Sequence, residues 1–314
     1  MASLLMLATL VLASCNHNEA GHHHGLQLHH LLALASSNHY EAGDLTFDTA
    51  KVSRVVHLFD DESKPADSIE IELVYVATAP REGFADSLNR MFLRTTLSEW
   101  FMDLPPQKSI AKYAQDEAED YRGFNEEMFA DYEREGRTDA YWFFEWFERT
   151  KGEVLLCQRD LLVFRTHYEG YTGGAHPNER TFYFNVDLRT LDILMLDDLF
   201  IDGYADALSD LLLAQMVEYY EMDSLQELKT LGIGRVSYGI PKGWPDSLHE
   251  DEESDDDLYV KPTGNFCLSK EGIVFHYNKY DITPGIVNPP HPCIPWSKLE
   301  GILRDDADIL ESVR

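Results

Sequence analysis

Residues 168–177 read YEGYTGGAHP, and within this run His176 is the side chain best suited to chemistry. An imidazole works as a general base, activates a nucleophile or ligates a metal, provided that suitable groups lie within hydrogen-bond reach. The sequence offers it little company. It contains no GxSxG, no HExxH and no Cys-His signature, and the nearest histidine, His167, is nine residues away on a strand-like run. Gly173 and Gly174 can take positive φ and let the chain reverse sharply. The segment therefore reads as a tight turn whose histidine bonds backbone groups, and whose loop can form part of a binding surface with Tyr171 and the distant Tyr280. No residue is assigned a catalytic role and no cofactor is expected.

The other chemically capable side chains are cysteines and histidines. His17, His22, His23, His24, His29, His30 and His39 place seven of the thirteen histidines in one short stretch. Such a tract can collect zinc or copper, with His22, His23, His24, His29 and His30 as the candidate ligands. It lacks acidic or cysteine co-ligands at fixed spacing, so a polar spacer is the preferred reading and metal handling the alternative. Of the four cysteines, Cys157 sits in the apolar run VLLC and reads as a buried small hydrophobe. Cys267 and Cys293 lie in strand-like runs and are the candidates for a disulfide. No CxxC pair is present.

Residues 1–14 form an apolar run too short to span a bilayer, which reads as a signal peptide. The small residues before Cys15 resemble the bacterial lipobox, which implies cleavage there and lipid attachment to the Cys15 sulfur. The expected product is lipid-anchored, non-spanning and extracytoplasmic, on a periplasmic or surface face of the cell envelope. A formal net charge of −30 argues against nucleic acid or an anionic membrane surface as partner and leaves cationic partners open.

These residues must be held by a scaffold. LTFDTAKVSRVVHLF (45–59) and SIEIELVYVATA (68–79) alternate with period two, placing Ile69, Ile71 and Leu73 on one face. Helical spacing follows: Phe84, Leu88, Met91, Phe92 and Trp100 over 84–101, then a break at Pro105-Pro106. A second helix is expected from an N-cap at Ser109, with Ile110, Tyr113, Tyr121, Phe124, Met128 and Tyr132 as its core stripe. AYWFFEWFE, EVLLCQ and LLVFRTHYEGY read as strands, divided at Lys151-Gly152 and Arg159-Asp160. RTFYFNVDL is a further strand, and a helical stretch opens at Asp197 and runs to about residue 231. The acidic run HEDEESDDD (249–257) reads as a solvated insertion, because it lacks the spacing of a calcium loop. Strands NFCLS, GIVFHYNKYDI and CIPWSK and a short helix from Leu299 close the chain. Strands and helices in blocks predict α+β, with antiparallel sheets packed against helices and two intertwined or adjacent subdomains, 45–200 and 201–314, behind the tether 15–44.

The block YEGYTGGAHPNERTFYFNVDLRTLDILMLDDLF (168–200) resembles the GGAH signature of paired bacterial domains of unknown function. FCLSKEGIVFHYNKYDITPG (266–285) with the later IPW resembles the partner domain. Such domains occur in lipoproteins, in the lysozyme-sensing anti-sigma factor RsiV and beside the catalytic domain of some peptidoglycan deacetylases. The resemblance spans about residues 45–306 and departs after Pro284, where GIVNPPHPC stands. Leu58-Phe59-Asp60-Asp61-Glu62 only faintly echoes the deacetylase TFDDG motif. The resemblance implies an RsiV-like, non-catalytic envelope module that binds a glycan, a peptidoglycan-related ligand or a cationic protein such as lysozyme. A cell-wall or glycan-active hydrolase or deacetylase is the alternative.

Overall fold

The computed structural model describes residues 45–233, 258–283 and 287–314. Cys15, the histidine tract, the acidic run 249–257 and the departure at Pro284 to Ile286 lie outside the described residues. Among the described residues, no helix is long and apolar enough to cross a membrane.

The architecture is α+β. Strands β1 (Thr46–His57), β2 (Ala66–Thr78), β3 (Trp146–Gln158), β4 (Leu161–Tyr171), β5 (Asn178–Asp187) and β6 (Asp192–Ile193) form one sheet in that spatial order. All neighbours run antiparallel except β2 and β3, which pair in parallel, Ile69 beside Glu148 and Leu73 beside Gly152. A parallel pair needs a crossover. Helices α1 (Phe84–Thr96) and α2 (Pro106–Arg134) supply it and cover one face of the sheet.

The alternating side chains pack where their period predicts. Ile69, Ile71 and Leu73 are buried against Leu88 and Phe92 of α1, and Phe92 stacks on Phe164 of β4 with centroids 4.0 Å apart. Gly152 does not end a strand. It lies inside β3, where an added Cβ would stand 2.7 Å from both Leu73 Cδ1 and Thr96 Oγ1. The glycine lets α1 sit close to the sheet, and that packing need outweighs its poor strand propensity. Upstream, residues 138–144 form a 3-10 helix in place of a strand.

Two further expectations are corrected on the helices. Pro106 is the first residue of α2, where its missing N–H costs nothing, so Ser109 is interior and its hydroxyl donates to the Phe101 carbonyl at 2.8 Å. Trp100 and Phe124 share the helical period of the core but are 83% and 71% exposed. Trp100 falls after α1 has ended, in a separate 3-10 turn. The face of α2 that meets the sheet is instead lined by Ile110, Ala114, Ala118, Tyr121 and Phe129.

Beyond the first sheet come α3 (Leu196–Leu199), α4 (Ala205–Tyr219) and α5 (Leu225–Thr230). A three-stranded antiparallel sheet follows, β7 (Phe266–Leu268), β8 (Gly272–Phe275) and β9 (Cys293–Pro295). The last short α-helix, α6, spans Trp296–Leu299, ending at the residue where the sequence suggested a start. Cys267 pairs with Val274 from one side and Cys293 from the other, so a whole strand separates them. Two interstrand spacings amount to about 9.5 Å, past the roughly 7 Å limit for a disulfide. Both thiols are free, as is that of Cys157, which is buried as its apolar run predicts.

Candidate functional site

The outer edge of β5 organises the site. Among the described residues, its first half has no strand partner beyond it, because β6 reaches only Val186 and Asp187. An open edge of this kind needs its amides and carbonyls satisfied. Two asparagine side chains, each an amide like the backbone itself, do this, and a third ties β5 to the second sheet. Asn278 Oδ1 accepts the Thr181 amide at 2.7 Å. Asn265 accepts the Tyr183 amide at 2.9 Å and donates to the Thr181 carbonyl at 2.8 Å. Asn185 reaches the other way, donating to the Phe266 carbonyl at 2.8 Å and accepting the Leu268 amide at 2.9 Å. The second sheet is thus clasped to the edge of the first by side chains.

This clasp carries Tyr280 to His176. Two residues beyond Asn278, Tyr280 has φ of +71°, uncommon for a residue with a Cβ. His176 Nδ1 lies 3.0 Å from the Pro177 carbonyl, which can only accept, so Nδ1 bears the proton of the neutral ring. Nε2 is then an acceptor, and the Tyr280 hydroxyl donates to it at 3.1 Å. The two rings lie 20° from parallel, with centroids 6.4 Å apart. Both are exposed. His176 therefore bonds one backbone carbonyl and, across to the second sheet's arm, one phenol, both in the open.

The rest of the loop divides. Gly173 has φ of +82°, and a Cβ there would stand 2.5 Å from the Phe143 carbonyl oxygen. Gly174 has no positive φ and nothing near a built Cβ, so only one of the two glycines is required. Tyr171 stacks on Phe147 across β3 and β4, centroids 6.5 Å apart. Of the residues singled out in the sequence, His176 and Tyr280 are brought into contact, Gly173 shapes the loop, and Tyr171 belongs to a neighbouring aromatic pair.

Two constellations escaped sequence reasoning. The first lies between α2 and the sheet. Glu148 of β3 is buried and accepts hydrogen bonds from Tyr113 at 2.9 Å and Thr150 at 2.8 Å. Burial pushes its carboxyl up. Burial, reinforced by the Glu148 charge, also lifts Asp67 to about 6 and Glu117 to about 7. The group can hold protons near neutrality. Its only sequence signal was Glu148, the second of two glutamates in the aromatic run FFEWFE.

The second constellation is a pair of imidazoles on the small sheet. His276 and His291 stack with centroids 4.1 Å apart and planes 3° from parallel. Burial is the main cause that lowers them to about 3 and about 4. Among the described residues, no group of three or more His, Cys, Asp or Glu is arranged to hold a metal ion.

A family profile described as a protein of unknown function, DUF3298, matches residues 197–297, from α3 to the start of α6. The crystal structure of a DUF3298 family member from Bacteroides fragilis NCTC 9343 is similar at 31% identity and a TM-score of 0.74, covering 86% of this chain and 98% of that one. A DUF3298 family protein from Pseudomonas aeruginosa PAO1 shares the fold at 16% identity and a TM-score of 0.50, over 83% of this chain and 96% of that one. No curated protein matches. With near-complete coverage of the Bacteroides relative, the chain belongs to the DUF3298 family of bacterial domains of unknown function.

Proposed function

We propose that this chain is a non-catalytic, RsiV-like module of the cell envelope, lipid-anchored through Cys15, that binds a glycan related to peptidoglycan on the His176–Tyr280 shelf. The observation that carries the reading is the state of His176. Its ring is exposed, and its nitrogens face a carbonyl and a phenol, so neither is aimed at a carboxylate, a thiol or an aliphatic hydroxyl. Two exposed rings held by a hydrogen-bonded frame present flat apolar faces beside polar edges, the chemistry that sugars meet in binding sites.

Calorimetric titration with soluble peptidoglycan fragments at pH 7 tests the reading. Saturable binding that weakens about tenfold in Tyr280→Ala, a loss of roughly 1.4 kcal/mol, is expected. Release of acetate or reducing ends by the chain, abolished in His176→Ala, would put an enzyme in its place. The net charge of −30 favours a second reading, in which the partner is a cationic protein. Lysozyme then binds in its place, with an on-rate that falls steeply as salt rises.

A further inference from the structure

The stacked histidines sit beside the clasp. Cys267, Val274 and Cys293 lie opposite one another in the small sheet, and His276 and His291 stand two residues further along the same face. That face meets β4 and β5: the Tyr183 ring lies 5.5 Å from His276. His276 Nε2 contacts Asn278 Oδ1 at 3.3 Å, the same oxygen that accepts the Thr181 amide. An oxygen can only accept, so Nε2 carries the proton and Nδ1 is bare. The Nδ1 of His291 is buried and has no hydrogen-bond partner among the described residues. Both rings thus fit their surroundings as neutral imidazoles.

We propose that this stack is an acid-sensitive latch: neutral, it holds Asn278 on the β5 edge, and protonated, it frees Asn278 and the Tyr280 arm beyond it. The latch regulates the same shelf, and only its consequence for binding rests on the glycan reading. Asn278 on His276 and the Pro290 backbone on His291 favour a proton, but burial and the charges facing the stack outweigh them. On β4 these are Arg165 and His167, both of which disfavour a further positive charge. Arg165 already engages Glu153 of β3, so that carboxylate is spoken for. Tyr183 of β5, Cys267 of β7 and Cys293 of β9 are neutral at pH 7, their ionisation opposed by burial. From α4, Tyr219 and Tyr220 bond the Pro289 and Asn288 carbonyls of the arm that carries His291. Two imidazolium rings face to face at this separation repel strongly in a buried setting. The sign follows from linkage. Both histidines lie below their ordinary 6.5, so the stability they contribute is complete above 6.5 and is lost as pH falls toward about 4 and 3.

Amide hydrogen exchange on the full chain without ligand, from pH 7 to pH 4, tests the latch. Corrected for intrinsic rates, protection of the Thr181 and Tyr183 amides should fall at least tenfold, while Phe164 in the middle of β4 keeps its own. In H276F/H291F, which keeps two flat rings but cannot titrate, the protection should lose its pH dependence. Unchanged protection in the wild type, or the same acid loss in the double variant, overturns the proposal. Should that variant not fold, the ring-proton shifts of the wild type decide. Both histidines titrating together with the loss supports the latch, and loss while both stay neutral refutes it. Because no ligand is present, this result stands apart from glycan binding, which is measured at pH 7 with the latch closed.

Discussion

The Tyr113 hydroxyl donates to Glu148 Oε1 at 2.9 Å, tying α2 to β3 through a buried carboxyl group. Its neighbours Asp67 and Glu117 crowd the site with further negative charge and are lifted to about 6 and about 7, from ordinary values of 3.8 and 4.5. An acid with a raised folded pKa binds more protons folded than unfolded. Stability therefore falls as pH rises from about 4 through 7 and levels off above. Glu117→Gln removes one of these groups and should flatten that fall in urea denaturation between pH 5 and 8. A slope equal to the wild type would show that Glu117 is fully solvated. The histidine stack tilts stability the opposite way over an overlapping range, so the two effects are separated only by variants of each.

The GGAH turn predicts an asymmetry between adjacent glycines. Gly173→Ala brings both a strained φ and a collision with the Phe143 carbonyl, and should cost about 1–3 kcal/mol. Gly174→Ala meets open space at an ordinary φ and should stay within about 0.5 kcal/mol of wild type. Chemical denaturation of the two variants side by side reads the difference directly; equal losses would contradict the loop geometry.

His176 and Tyr280 are joined at the surface, so their bond adds little to folding. His176→Ala and Tyr280→Phe should each shift stability by less than about 1 kcal/mol. The larger effect is expected on ligand affinity. A drop of several kcal/mol in the melt of either variant would show the pair to be structural.

The legible parts of this fold were local. Ile69, Ile71 and Leu73 announce a half-buried strand by alternation alone, and the structure buries all three. Gly152 reads as a turn because glycine usually punctuates. Its actual reason, the approach of Leu73 and Thr96, comes from segments tens of residues away. Trp100 and Phe124 follow the helical period, yet period does not say where the sheet ends and solvent begins. The Asn185, Asn265 and Asn278 clasp was hidden for the same reason, since its bonds cross 81 or more residues. Asn185 left one trace: a residue poorly suited to strands sits in the middle of RTFYFNVDL.

The register of the small sheet forecasts the redox state. Ellman titration of residues 45–314 in denaturant, after oxidative expression, should count three free thiols, from Cys157, Cys267 and Cys293. One free thiol would mean that Cys267 and Cys293 do bridge and that β8 does not run between them.

Asn185 offers the sharpest test of the clasp. The residue is 1% exposed, and its amide meets both the Phe266 carbonyl and the Leu268 amide. Asn185→Ala strands two buried backbone groups that water cannot reach, which costs about 1–3 kcal/mol for each, with some relief if the strand shifts. Asn185→Asp keeps the acceptor for Leu268 but turns a carboxylate oxygen toward the Phe266 carbonyl. Two acceptors then oppose each other where a donor is required, and a buried charge is added. Protonation of the new carboxyl restores a donor. Asn185→Asp should therefore lie closer to wild type at pH 5 than at pH 7.5, when each is compared with wild type at the same pH. Asn185→Ala should show no such difference. Urea denaturation followed by tryptophan fluorescence, to which Trp296 contributes through an indole that donates to the Ser269 carbonyl in the turn after β7, reports the release of the small sheet. If Asn185→Asp is no worse at high pH than at low, Asn185 does not bridge the two sheets in the way its bond lengths indicate.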